Sequence, residues 1–253
     1  MGYKTYLDLI EDLLKEKTVI SSGMKKEVGR CQAAISHAVS GRKVVLVSSG
    51  DAGIYGMAGL VLDICREKGL KVVRWGESVA SCVGGDFIAG DNPLEPDRID
   101  SSPCFFLHVI PGIPAFNAAA SLLGAPLMHD FAAVSLSDHL TPWELIEKRL
   151  CAAAEADFVI NIYNPRSFSR PDSLEKARQI ILRYRSPESP AAIVRRAMRE
   201  GQWKCLATIG RLPVDEADMQ SVVIIGNSKT YIWNGWMVTP RGYLDKYSVT
   251  DEE

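Results

Sequence analysis

The chain has 253 residues, and 29 Lys plus Arg against 31 Asp plus Glu leave a formal net charge of −2. That balance excludes a polybasic surface for nucleic acid or anionic lipid. A composition 47% hydrophobic and 24% charged excludes a disordered chain, and the length suits two modest domains or one large one.

Helix and strand patterns alternate from the start. Apolar residues at Tyr6, Leu7, Leu9, Ile10, Leu13 and Leu14 predict a helix over 5–17, with a short strand over 18–21. A second helix is predicted over 25–39, closed by Gly41. Val44-Val45-Leu46-Val47 reads as a strand covered on both faces. It empties into Ser48-Ser49-Gly50-Asp51-Ala52-Gly53, from which a helix runs on to Lys68. A strand over 70–75 follows, and this rhythm predicts a mainly parallel sheet with helices on both faces, an α/β fold.

From 76 to 103 the rhythm stops, and the stretch reads as a long loop or insertion. A strand over 104–110 ends in Pro111-Gly112-Ile113-Pro114, and an Ala-rich helix over 115–123 follows. Gly124-Ala125-Pro126 then breaks the chain, which sets a domain over 1–124, a second over 131–243 and a tail over 244–253. The second domain is predicted to hold strands over 132–136, 158–163, 191–194, 205–209, 222–225 and 233–238. Its helices fall over 142–154, with Thr141 as N-cap and Pro142 first, and over 172–185.

No apolar run reaches the ~18 residues of a membrane span. Residues 115–128 come nearest, interrupted by Asn117, Gly124 and Pro126. The N-terminus lacks a signal pattern, so a cytoplasmic protein is expected. Six cysteines, scattered with no C-x-x-C pair, predict neither a metal site nor a disulfide framework, but reduced, buried thiols.

Chemistry concentrates at strand ends. The Gly-rich turn around Gly50, Asp51 and Ile54 would expose backbone N–H groups at the carboxyl end of a sheet, where open α/β folds bind small ligands. It matches neither G-x-G-x-x-G nor a Walker loop, which disfavours nicotinamide and triphosphate cofactors. Pro111-Gly112-Ile113-Pro114, Tyr163-Asn164-Pro165 and Thr239-Pro240-Arg241-Gly242-Tyr243 are further strand ends. Loops of this kind shared between two halves would line a cleft between domains.

Together with Ser135-Leu136-Ser137-Asp138, these stretches fall in an order that resembles the tetrapyrrole (corrin/porphyrin) methylases, over nearly the whole chain except 76–103. The branch most resembled methylates C17 of precorrin-3B or cobalt-factor III. The resemblance implies two α/β domains with S-adenosylmethionine in the cleft between them, a C-methyl transfer with ring contraction, and a homodimer acting on a tetrapyrrole without nucleic acid or membrane. Two departures stand out. The family opens with a strand and a Gly-x-Gly-Pro-Gly-Asp loop that this sequence lacks, so a fragment of low stability is expected. The stretch 76–103 is extra, and its Gly84-Gly85-Asp86 only mimics a donor loop.

What the resemblance implies for single residues follows. Gly50, Asp51 and Ile54 would take the methionine part of the donor, and Pro111, Gly112, Ile113, Tyr163, Asn164, Thr239, Pro240 and Arg241 its ribose and adenine. Ser135, Ser137, Arg166, Arg170, Arg195 and, alongside its place in the donor set, Arg241 would meet the substrate, whose carboxylates want arginine or lysine. Asp138, with His139 beside it, is the candidate base; the competing reading makes Asp138 the cap of the next helix. Three rivals remain: a sister methylase acting at C11 or C20, an RNA ribose methylase of the same fold, and a non-catalytic donor- or tetrapyrrole-binding module.

Overall fold

The computed structural model describes residues 1–23, 26–76 and 104–247. Two compact units divide the chain, Met1–Pro114 and Ala115–Glu253. The stretch expected as an insertion lies outside the described residues apart from Gly76, and with it the Gly84-Gly85-Asp86 mimic.

In the first unit β1 (Gly2–Tyr3) pairs in parallel with β2 (Ser21–Ser22), and Gly2 also bridges Val47. The helix expected over 5–17 is shorter: α1 spans Lys4–Asp8, and a 3-10 turn covers Glu11–Leu14. Only Leu7 of its apolar stripe is buried, while Leu9 and Leu13 stay exposed, and a helix whose stripe finds no partner is marginal. Residues 44–47 do not form the buried strand either. Val47 donates its amide to the Met1 carbonyl at 2.8 Å, but Val45 is 71% exposed. A double-sided apolar run becomes a strand only where neighbours pair with it, and among the described residues the pairing here is one bridge.

The unit's core lies between α2 (Glu27–Val39), whose end at Gly41 has φ +83°, and α3 (Ala58–Glu67). Cys31, Ile35, Val61, Ile64 and Cys65 pack with Met57 and with Phe105 of β4 (Cys104–Leu107), which runs parallel to β3 (Lys71–Arg74). Burial pushes both core thiols up, which keeps them protonated and inert. Cys104 is exposed and Cys151 and Cys205 half-buried, so the expectation of buried thiols holds for two of the described cysteines only.

The second unit begins with α4 (Ala115–Leu123), expected in the first domain, and β5 (Gly124–Ala125). Then come β6 (Phe131–Ser135), α5 (Trp143–Glu155), β7 (Val159–Tyr163), α6 (Ser173–Ile181), β8 (Pro190–Arg195), β9 (Trp203–Thr208) and β10 (Ser221–Ile225). A hairpin of β11 (Tyr231–Trp233) and β12 (Trp236–Val238) and a short α7 (Tyr243–Lys246) complete it. The five-stranded sheet has the order β6-β7-β10-β8-β9. Both faces are covered: Ile160, Ile162, Ile193 and Val223 face Ile146 and Leu150 of α5 and Leu174 and Ile181 of α6. Val159, Val194 and Ile224 face Ala119 and Leu123 of α4 and Met237 of β12.

This sheet is not mainly parallel. Only β6 and β7 run together; β10 is antiparallel to both its neighbours, as β9 is to β8. The β8–β9 connection carries no helix, and without a crossover element a neighbouring strand returns antiparallel. At α5 the expected Thr141 cap is absent: Pro142 is the N-cap, with ψ 143° and no side-chain bond.

Candidate functional site

In the first unit, two irregular stretches follow the segment 44–47 and β4. Asp51 links them. Its Oδ1 accepts the Gly53 amide at 2.7 Å and its Oδ2 accepts the Gly112 amide at 2.8 Å. A Cβ on Gly112 would lie 2.1 Å from the Gly50 carbonyl oxygen, so the approach of the two backbones requires glycine there. The Gly112 and Gly53 amides, with a smaller push from Ile54 and against some desolvation, hold the Asp51 carboxyl below the ordinary aspartate range. The Ile54 amide also donates to the Asp51 carbonyl at 3.3 Å. Ile54, Tyr55, Ile110 and Ile113 are exposed around this turn, an apolar surface beside backbone polar groups. Behind it, buried Arg30 donates to Ser22 Oγ at 2.8 Å, the Gly23 carbonyl at 2.9 Å and Met57 Sδ at 3.4 Å, fixing the turn's exit.

The second unit brings the ends of β6 and β7 together. Asn164, at φ +50°, donates Nδ2 to Ser135 Oγ at 2.9 Å, and the same oxygen accepts the Ser137 amide at 3.2 Å. Arg170 donates Nη1 to the carbonyls of Leu136 (2.7 Å) and Asn164 (3.3 Å), and its Nε lies 3.5 Å from Asp138 Oδ1. The Arg170 side chain is only 15% exposed. Asp138 therefore pairs with an arginine and does not cap α5; His139 beside it is exposed. Tyr163 receives the Phe116 amide on its hydroxyl at 3.1 Å, taking one of the N-terminal amides that α4 leaves unpaired.

Thr239 is fully buried, with its hydroxyl 2.8 Å from that of Thr230. Thr230 donates in turn to Asn227 Oδ1 at 3.1 Å, which fixes Thr239 as the donor in that pair. Pro240 is half-buried and Arg241 exposed on the loop that follows. Arg166 donates to the carbonyls of Pro171 (2.9 Å) and Asp215 (3.1 Å), and Arg195 stacks its guanidinium 5.2 Å over Trp203. Of the four arginines expected to meet substrate carboxylates, Arg166, Arg170 and Arg195 are thus engaged within the protein, while Arg241 is exposed.

A match to the family model described as tetrapyrrole (corrin/porphyrin) methylases spans residues 73–213. The chain belongs to this family. A protein of Salmonella typhimurium named probable cobalt-factor III C(17)-methyltransferase is 45% identical over 96% of the chain and 87% of its own length. The cobalt-factor III methyltransferase of Priestia megaterium is 44% identical over the whole chain, which spans 42% of that longer protein. Among solved structures, the methyltransferase CobJ superposes with a TM-score of 0.75 at 30% identity, covering 94% of this chain and 87% of that one. The tetrapyrrole methylase fold, two α/β units, is therefore the fold of this chain.

Of the residues of this chain expected at a functional site, Gly50, Asp51, Ile54 and Gly112 meet in one turn, and Ser135, Ser137, Asp138, Tyr163, Asn164 and Arg170 at one pair of strand ends. Sequence reasoning missed Arg30, Phe116, Asn227 and Thr230. For the last two the signal was present: Asn227-Ser228-Lys229-Thr230 is an Asn-headed turn, closed by its side chains. Buried Asn161 also escaped notice inside the β7 run; its Oδ1 has no partner among the described residues, and nothing in the structure explains it.

Proposed function

We propose that this methylase transfers a methyl group from S-adenosylmethionine to C17 of a corrin precursor, cobalt-factor III, with ring contraction to cobalt-precorrin-4. The observation that carries this reading is the 45% identity to a relative of nearly the same length that bears this activity in its name. The cobalt-containing substrate is preferred over precorrin-3B because both relatives above are named for it.

The residues present fit the donor. A turn in which a Cβ on Gly56 or Gly112 would collide with backbone, with the exposed apolar side chains of Ile54, Tyr55, Ile110 and Ile113 around it, offers backbone polar groups beside apolar surface, as a ligand with both polar and ring parts needs. S-adenosylmethionine supplies an electrophilic methyl on a sulfonium. The chain's own task is to hold the reacting atoms in line and keep water away. In the first unit the Gly50–Gly53 turn and Gly112 offer the backbone surface; in the second, Tyr163, Asn164 and Thr239 are held rigidly by bonds to their own unit. Asp138, half-exposed beside Arg170, is the group that would remove a proton.

Incubation with cobalt-factor III and methyl-labelled S-adenosylmethionine tests the reading. One label at C17 is expected; label at C11 or C20 identifies a sister methylase, and no transfer despite donor binding identifies a binding module. A homodimer working in the cytoplasm, free of nucleic acid and membrane, completes the reading. The formal charge of −2 does not favour a polyanionic partner, and among the described residues no helix is long and apolar enough to cross a membrane. Sedimentation analysis measures the dimer.

A further inference from the structure

We propose that Asp51 is a positioning residue and not a donor contact: its carboxylate clasps the Gly50–Gly53 turn to Gly112 and so fixes the backbone surface on which the methyl donor lies. The proposal rests on the donor reading above and deepens it.

The geometry is that of a two-point clasp. The bond from the Gly53 amide to Oδ1 is a local one, spanning two residues, and it holds the Asp51 side chain in a single orientation. The second oxygen is thereby aimed at the Gly112 amide, 61 residues further on, and the two stretches are joined at 2.8 Å. Neither stretch has regular structure of its own at this point, so no ladder fixes their spacing. A glycine at 112 lets the second backbone come down onto the Gly50 carbonyl; the carboxylate holds it there. Both bonds run from neutral amides to an anion, the stronger class of hydrogen bond.

Consistent with this, the amides that depress the Asp51 carboxyl most are the two it clasps, Gly112 first and Gly53 second, with Ile54 adding less. A carboxyl whose folded value lies below that of an unfolded aspartate leaves the clasp intact at and above the ordinary aspartate range. The clasp opens as pH falls through the folded value. A residue meeting the donor directly has no need to engage both oxygens with backbone in this way.

The test is calorimetry with S-adenosylhomocysteine on the wild type, Asp51→Asn, Gly112→Ala and the double variant, with amide NMR on the first two. Each single change removes the same apposition, from opposite sides. Each is expected to weaken binding about 10-fold or more, the order of one charge-assisted hydrogen bond. The double variant is expected to lose no more than the weaker-binding single, because interacting sites are not additive. At neutral pH the Gly53 and Gly112 amide protons should both lie downfield of their positions in Asp51→Asn. Asp51→Asn binding like the wild type overturns the proposal, as do additive losses in the double variant. Should Asp51→Asn not fold, wild-type NMR decides alone: both amides must move together as the Asp51 carboxyl titrates, and independent movement overturns the clasp. A wild type that does not bind S-adenosylhomocysteine while both amides still titrate together sinks the donor reading instead, so the two failures are distinguishable.

Discussion

Arg170 sits at the junction of two strand-end loops, and its chemistry there is mostly internal. A guanidinium spent on the Leu136 and Asn164 carbonyls and on Asp138 has little left for a substrate carboxylate. Its first effect is to hold the Ser135–Asp138 stretch against Asn164. Lysine brings the charge but not the planar fork, so it reaches one of these acceptors and leaves the others unpaired. Arg170→Lys is therefore expected to lose about 1.5–3 kcal/mol of stability, the range for hydrogen bonds to a charged group. A thermal melt of the two proteins reads the loss. An unchanged melt accompanied by a raised KM for the tetrapyrrole would instead place Arg170 on the substrate.

Elements were legible where local pattern and tertiary cover agreed. The helix expected over 115–123 is α4, Ala115–Leu123, since its small and apolar residues press on the five-stranded sheet. The run at 44–47 had the same local strength yet lacks a ladder, because a strand is made by its neighbours as much as by its own residues. The sheet's antiparallel half was visible only as a missing helix between 194 and 205, a weaker sign than the alternation of helix and strand before it. Of the candidate site, the glycine turns were readable because their backbone demands are written in residue type. The engagement of Arg166, Arg170 and Arg195 was not, since an arginine's partner is set by the fold. Thr239, at the end of β12, shows the same limit: marked for the donor, it donates to Thr230 in a buried chain that pins the strand to the loop at 227–230. Thr239→Val keeps the shape and removes that donor, so a loss of about 1 kcal/mol is expected. For a chain of this size that is a fall of about 2–4 °C in Tm, and Thr239→Ser should recover most of it. A Thr239→Val protein that melts like the wild type would show the hydroxyl pair to be without structural weight.

At the scale of the whole molecule, the two units carry very different cores. Among the described residues, the first rests on one cluster between α2, α3 and β4, including two cysteines and a methionine, with Val45, Leu9 and Leu13 exposed. The second buries both faces of a five-stranded sheet, and Ile160, Ile162, Ile193, Ile224 and Ile225 in its strands are at most 1% exposed. Since burying one such side chain is worth about 1.5–3 kcal/mol, the difference exceeds what a marginal domain can absorb. Chains with separate cores need not unfold in one step. Calorimetry is therefore expected to show two transitions, with the first unit melting lower, and hydrogen exchange should reach α2, α3 and β3 before β7, β8 and β10. The turn clasped by Asp51 belongs to the less stable unit. S-adenosylhomocysteine should then raise the lower transition in particular, by about 2.7 kcal/mol at a hundred times its Kd. A single transition at which all these amides exchange together would mean that the second unit lends the first its stability; a ligand effect confined to the upper transition would move the donor's main contacts to the second unit, onto Tyr163 and Asn164.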